Sequence, residues 1–330
     1  MTKNFHYFTS KKLSKHLKPR DGETKFGEKL KIVNSEEELK KHSGKFVVFG
    51  IEEDIGIQGN LGKPGARKTW GSFLDAFVNI QQNRFNSVDN ILLLGQLSGV
   101  GYREEAQGIL DEGVDLSKKL DPFVRKIDDE VTEIIEKIVG FGKVPIIIGG
   151  GHNNAFGILR GVSKAKNAAI NCLNIDAHTD LRQTDFRHSG NGFSFARQEN
   201  HLQKYAMMGV HKNYTPEYIF QEMDGTSDIS CSFYEDLIGK TAVEKAGEFL
   251  KLAHQLDSDF GLELDCDGIA NFPSSAQSPT GFSFEEIRLF LKESKQFNPH
   301  YVHICEAAAM DKPQVGKALS YLVSDFIRNE

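Results

Sequence analysis

Eight short runs, apolar at nearly every position, constrain this chain more than any other feature. They cover residues 46–51 (FVVFGI), 91–94, 144–148, 169–175, 205–210, 229–233, 260–264 and 301–305. A strand with one solvated face alternates apolar and polar side chains, whereas a strand covered on both faces is apolar throughout. Helical segments separate most of these runs. The clearest spans 121–139, where Phe123, Ile127, Val131, Ile134 and Ile138 recur every three or four residues. Others cover 216–223, 241–256, 284–297 and 315–327. A further helix begins near Ser72, and Asn34-Ser35 followed by three glutamates reads as a capped helix start. Residues 95–113, punctuated by glycine and carrying Tyr102 and Arg103, read as a loop folding over a site. Strand–helix alternation implies an α/β protein with a mostly parallel sheet covered on both faces. Eight strands suit an open sheet or a closed barrel, and periodicity does not separate the two. In both, function gathers at the carboxyl ends of the strands.

The chain divides at residue 46. Residues 1–45 form an N-terminal arm and helix packing on the domain, and 46–330 a single α/β domain without repeat or linker. Net charge is −6, with acids and bases interspersed. That balance offers no basic surface to nucleic acid or to a membrane. No apolar run approaches the roughly 20 residues that span a bilayer. The N-terminus is basic but lacks the apolar core of a secretory signal. The four cysteines, Cys172, Cys231, Cys266 and Cys305, show no C-x-x-C spacing. Free thiols in a reducing, cytoplasmic setting follow from that pattern.

The polar residues just beyond four of the apolar runs carry the chemistry. Asp176, His178 and Asp180 follow the fourth run at spacing two, a pattern that aims all three to one side of an extended segment. Asp265 and Asp267 repeat the spacing after the seventh run, with Glu263 in phase one step deeper. Gly149-Gly-Gly follows the third run and presents His152, and Glu306 follows the eighth. The bland reading is a set of polar strand ends, with Asp176 capping a helix. The glycine turn lacks the Lys-Ser/Thr of a phosphate-binding loop. Adjacent aspartates repel unless a cation or a basic side chain neutralises them. Together His152, Asp176, His178, Asp180, Asp265 and Asp267 give four carboxylates and two imidazoles, enough to offset two divalent cations. Two such ions about 3.5–4 Å apart lower the pKa of a shared water towards neutrality, supplying a nucleophile for a poorly electrophilic carbon.

Gly150-Gly-His152, Asp176-Ala-His-Thr-Asp180 and Asp265-Cys-Asp267-Gly resemble, in order and spacing, the three metal motifs of the arginase/agmatinase ureohydrolase superfamily. The resemblance runs from about Phe46 to the C-terminus and includes Pro64-Gly-Ala-Arg67 and Glu306. It implies a single-domain open three-layer α-β-α fold with a mostly parallel eight-stranded sheet. It also implies two manganese ions per chain, hydrolysis of a C–N bond in a small guanidine or amidine, and assembly as a trimer or hexamer. The ligand types admit other divalent metals. Carried over by position, His152, Asp176, Asp180 and Asp265 hold one ion, and Asp176, His178, Asp265 and Asp267 the other. Asp180 also accepts a hydrogen bond from the nucleophile, and Glu306 pairs with the cationic amidine.

The departures point to one branch. Gly151 stands where arginases and agmatinases carry aspartate, and the Gly-Gly-Gly-His form resembles formimidoylglutamases, which release formamide and glutamate from N-formimino-L-glutamate in histidine degradation. Arg187-His-Ser-Gly-Asn-Gly-Phe193 fits the same branch. Phe193 stands where arginases place a histidine, leaving His188 as the candidate proton shuttle. Formiminoglutamate carries two carboxylates, and Arg182, with Arg187 and Asn191, is the candidate group for binding them. An agmatinase- or arginase-type guanidine hydrolase, or a metal-bound relative without turnover, are the alternatives.

Overall fold

The computed structural model describes residues 1–256, 260–310 and 312–328. Among the described residues ten strands form one open sheet: β1 (Phe5–Tyr7), β2 (Lys31–Ile32), β3 (Phe46–Glu52), β4 (Ile91–Ser98), β5 (Val144–Ile148), β6 (Ile170–Ile175), β7 (Leu202–Val210), β8 (Ile229–Phe233), β9 (Phe260–Asp265) and β10 (Val302–Cys305). Eight of them, β3 to β10, run parallel in the spatial order β4-β3-β5-β10-β9-β6-β7-β8 and coincide with the eight apolar runs. The sheet is open, not a barrel. The N-terminal arm adds two strands to β4: β1 antiparallel, pairing Phe5 with Leu97, and β2 parallel.

Alternate residues of each central strand feed different faces. Ile146 and Ile148 of β5 join one apolar cluster, with Phe73, Phe249, Phe290 and Leu319 from helices at Thr69–Phe77, Ala242–Gln255, Phe284–Ser294 and Pro313–Ile327. Ile147 joins the other, with Ile134, Leu159 and Phe195 from helices at Leu116–Gly140, Asn154–Lys166 and Gly192–Gln198. Burial on both sides is why the strands lack alternation. Ser35 caps the early helix as its sequence predicts, its hydroxyl accepting from the Glu38 amide at 3.2 Å.

Residues 95–113 are not a loop. Residues 95–98 complete β4, and Val100–Glu112 is a helix closed by left-handed Gly113. Gly95 interrupts the strand pattern because β1 lies against it. A Cβ there would sit 2.2 Å from the His6 carbonyl oxygen, and its φ is +155°.

The strand order decides where the chemistry sits. The chain lays down β3, β4 and β5, crosses to build β6, β7 and β8, then returns to insert β9 and β10 between the halves. The four strands that precede the polar motifs, β5, β10, β9 and β6, are therefore consecutive neighbours. Such a reversal of winding opens a crevice at the carboxyl ends of the strands.

Candidate metal centre

His152 arrives on a tight turn. Gly149 and Gly150 have φ of +91° and +75°, and a Cβ on Gly150 would lie 2.5 Å from Asn154 Nδ2. The turn is held by Glu53, the residue just after β3, whose Oε1 accepts from the Gly151 amide (3.0 Å), Asn153 Nδ2 (3.2 Å) and Asn154 Nδ2 (2.6 Å). Asp176 follows β6 directly, accepting from the His178 amide at 2.8 Å and Asn174 Nδ2 at 3.0 Å. The segment then bends, and Asp180 has φ of +49°. Asp265 ends β9 and accepts from the Asp267 amide at 2.7 Å within a short 3-10 turn. Neither acidic motif is thus an extended i, i+2 ladder: both strands stop at or just before the first aspartate, and turns deliver the later residues.

The side chains converge. His152 Nδ1 lies 3.2 Å from Asp176 Oδ2, 2.8 Å from Asp180 Oδ2 and 3.0 Å from Asp265 Oδ2. Donor atoms of these four residues all fall within 4.8 Å of one another. One nitrogen carries at most one proton, so it cannot satisfy three carboxylates. Among the described residues, no hydrogen bond of acceptable geometry reaches either ring nitrogen, though the residue is buried. Donors sharing a small divalent cation at about 2.1 Å sit about 3 Å apart at right angles, which fits these spacings. His178 faces the neighbouring position, with Nδ1 3.5 Å from Asp176 Oδ1 and 3.9 Å from Asp267 Oδ2. Asp267 is fixed by Ser275 Oγ at 3.0 Å and the Ala276 amide at 2.9 Å.

The electrostatics follow from crowding. Burial, then the charges of Asp176 and Asp267, pushes Asp265 well up, while burial and Asp176 raise Asp180. Burial also opposes charge on Asp176, but His152 and His178 outweigh it and hold this carboxylate low. His178 is held up at about 10: burial disfavours its charge, and Asp176, Asp267 and Asp180 overcome that. Glu306, with φ of +59°, is pushed up to about 8 by burial and the charge of Asp267. Its Oε1 accepts from the His152 amide at 2.6 Å, while buried Oε2 has no hydrogen-bond partner among the described residues.

A cavity of about 730 Å³ opens above the cluster, lined among others by His178, Asp180, Asp265, Asp267, Glu306 and Arg182. Three sequence candidates do not reach it. Arg187 is fully buried and forks onto Asp128, with Nε–Oδ2 2.8 Å and Nη2–Oδ1 3.0 Å. Its Nη1 donates to Asn191 Oδ1 at 2.6 Å. Asn191 spends its amide on the Gln183 and Phe186 carbonyls. Both hold the 187–191 turn and are absent from the cavity lining. His188 also lies outside the lining; its Nδ1 accepts from the Gly190 amide at 3.1 Å, and Nε2 is 3.2 Å from Asn191 Nδ2. Burial and the charges of Arg187 and Arg182 depress it to about 4. A proton shuttle at His188 is at odds with that placement.

Some cavity and support residues escaped the sequence reading. Lys63 and Tyr214 line the cavity. Asp54 gathers Arg67 Nη1 at 2.7 Å and the Gly65 amide at 2.8 Å, bracing the loop that carries Lys63. The sequence signal for this support is Glu52-Glu53-Asp54, acids at the carboxyl end of an apolar run like the four polar motifs above.

Comparison with known proteins agrees with this geometry. The Arginase family profile matches residues 45–315. A formimidoylglutamase of Lysinibacillus sphaericus is 28% identical over 250 residues, covering 72% of this chain and 75% of that protein. Formimidoylglutamases of Macrococcus caseolyticus and Corynebacterium efficiens match at 28% and 32% identity, over only 42% and 30% of their own lengths. The structure of formimidoylglutamase from Bacillus subtilis superposes with a TM-score of 0.72 at 15% identity, covering 94% of this chain and 92% of that one. Trypanosoma cruzi formiminoglutamase with Mn2+ superposes with a TM-score of 0.72 at 16% identity, covering 92% and 97%. With a family match over most of its length and the family's fold around a metal-competent cluster, the chain belongs to the arginase family.

Proposed function

We propose that this chain hydrolyses the amidine C–N bond of N-formimino-L-glutamate, giving L-glutamate and formamide, at a site for two divalent cations, with manganese as the native metal. The observation that carries the reading is the approach of three carboxylate oxygens to Nδ1 of His152 beside a buried, unpartnered Glu306 oxygen. His152, Asp176, Asp180 and Asp265 would hold one cation, and Asp176, His178, Asp265 and Asp267 the other. When bound, such a pair supplies Lewis acidity and neutralises charge that the clustered aspartates cannot disperse alone.

The chain's own groups bind and orient the substrate. Glu306 Oε2 receives an amidinium N–H, a charge-assisted bond that keeps the reacting carbon over the aspartates. The left-handed backbone of Glu306 and its bond from the His152 amide fix where that oxygen points. Arg182, exposed at the cavity wall, takes one substrate carboxylate through its forked donors, and Lys63 takes the second. In the net reaction water adds its oxygen to the formimino carbon and the bond to the glutamate nitrogen breaks; that nitrogen takes up both water protons and leaves as the ammonium of glutamate, while the amidinium NH2 stays on formamide.

The test is product analysis of manganese-loaded protein supplied separately with formiminoglutamate, agmatine and arginine. Formamide and glutamate from the first substrate alone are expected. Urea from either of the others would reassign the chain to guanidine hydrolysis, and bound metal without turnover of any substrate would overturn an enzymatic role.

A further inference from the structure

Nδ1 of His152 faces the aspartates, and the opposite edge of the ring faces Glu263. His152 Nε2 lies 3.5 Å from Glu263 Oε2, and both residues are buried to within 1%. Glu263 is clamped at both oxygens. Its Oε1 accepts from the Tyr301 hydroxyl at 2.8 Å, and its Oε2 lies 2.6 Å from His303 Nδ1. His303 Nε2 in turn lies 3.3 Å from the carbonyl oxygen of Gly149, the root of the turn that carries His152. Turn, His303, Glu263 and His152 close a ring behind the cation cluster.

An imidazole that offers the Nδ1 lone pair must carry its proton on Nε2. A buried N–H needs an acceptor. We propose that Glu263 is the positioning residue of this centre: it accepts the Nε2 proton of His152, fixes the tautomer that turns the Nδ1 lone pair towards Asp176, Asp180 and Asp265, and is itself held by Tyr301 and His303. Carboxylates placed behind a ligating histidine act in this way, fixing ring orientation and raising ligand basicity. The 3.5 Å separation is long for a hydrogen bond, but among the described residues no other hydrogen-bond partner reaches the buried Nε2. This rests on the metal site proposed above, but not on the substrate assigned to it.

The experiment is calorimetric titration of chelator-stripped protein with Mn2+, paired with thermal unfolding in EDTA. Wild type is compared with Glu263→Gln and Tyr301→Phe. Glu263→Gln should bind the first Mn2+ about 10–100-fold more weakly. Tyr301→Phe, which loosens the clamp without changing charge, should shift affinity the same way by less. Both should unfold in EDTA close to wild type. Wild-type affinity in Glu263→Gln would overturn the proposal, as would a lower unfolding temperature in both variants with affinity unmoved. If Glu263→Gln fails to fold, Tyr301→Phe decides alone, and unchanged affinity there is fatal. A wild-type protein that takes up no Mn2+ would instead sink the metal centre itself.

Discussion

Two acidic residues of the cavity, Asp180 and Glu306, hold the left-handed backbone conformation that side chains with a Cβ avoid. Such strain persists where surrounding structure over-determines it, and both are pinned close to His152. For Glu306 this separates the side chain's two jobs: one oxygen fixes the turn, and the other is left for a ligand. Glu306→Gln keeps an acceptor for the His152 amide and removes the charge. Fold and Mn2+ uptake should survive, while kcat/KM for formiminoglutamate falls about 100-fold, as loss of a charge-assisted hydrogen bond implies. Steady-state kinetics would check this, and an unchanged kcat/KM would remove Glu306 from amidine recognition. At this scale the sequence was most misleading for Arg187. An arginine beside a polar, glycine-containing stretch reads as a ligand-binding group, and nothing local announces that Asp128, on a helix about sixty residues upstream, takes it into the core. Asn191 and His188 turn inward too, onto neighbouring backbone groups and onto side chains of the same short segment.

Among elements, the turn after β5 does most to place the centre. Glycine at 150 is required twice, by its φ of +75° and by the atoms a Cβ would meet. Gly150→Ala should destabilise the chelated protein by roughly 1–3 kcal/mol and weaken Mn2+ binding, because the displaced turn carries His152. Denaturant unfolding in EDTA and metal titration would show it; wild-type values in both would mean that the turn tolerates a side chain. Strands were legible because burial on both faces leaves continuous apolar runs, and the long helix at 116–140 because its stripe repeats over many turns. Less legible were short-range bends. Asp176 to Asp180 converge through a left-handed residue, not through an extended segment, and spacing cannot tell these apart. Gly95 misled because a glycine accommodating a neighbouring strand looks like one that breaks a strand.

For the molecule as a whole, the charge cluster ties stability to pH and to metal. Glu306 at about 8 and Glu52 at about 7, the latter raised by burial, both stand above an unfolded value near 4.5. The fold favours their neutral forms, so their contribution is complete below about 4.5 and is lost as pH rises through 7 and 8. His178, held at about 10, adds the same sign: its contribution is complete below about 6.5 and declines as pH rises through 10. Chelated protein should therefore have a lower melting temperature at pH 8 than at pH 5.5. With Mn2+ the slope should flatten or reverse, because the cation displaces protons from its ligands. A melting temperature that climbs over this range in EDTA would contradict the electrostatics drawn for the centre. The eight parallel strands and the sheet type could be read from the sequence, but the two short strands of the arm and the strand order could not: local pattern carries no record of which runs become neighbours. The late insertion of β9 and β10 has a consequence for biogenesis. Until residues 260–305 have left the ribosome, β5 and β6 each present a bare hydrogen-bonding edge, and half of the acidic cluster does not yet exist. The nascent chain then passes through a sticky stage that favours aggregation, and it ends only when the final strands zip the two halves together.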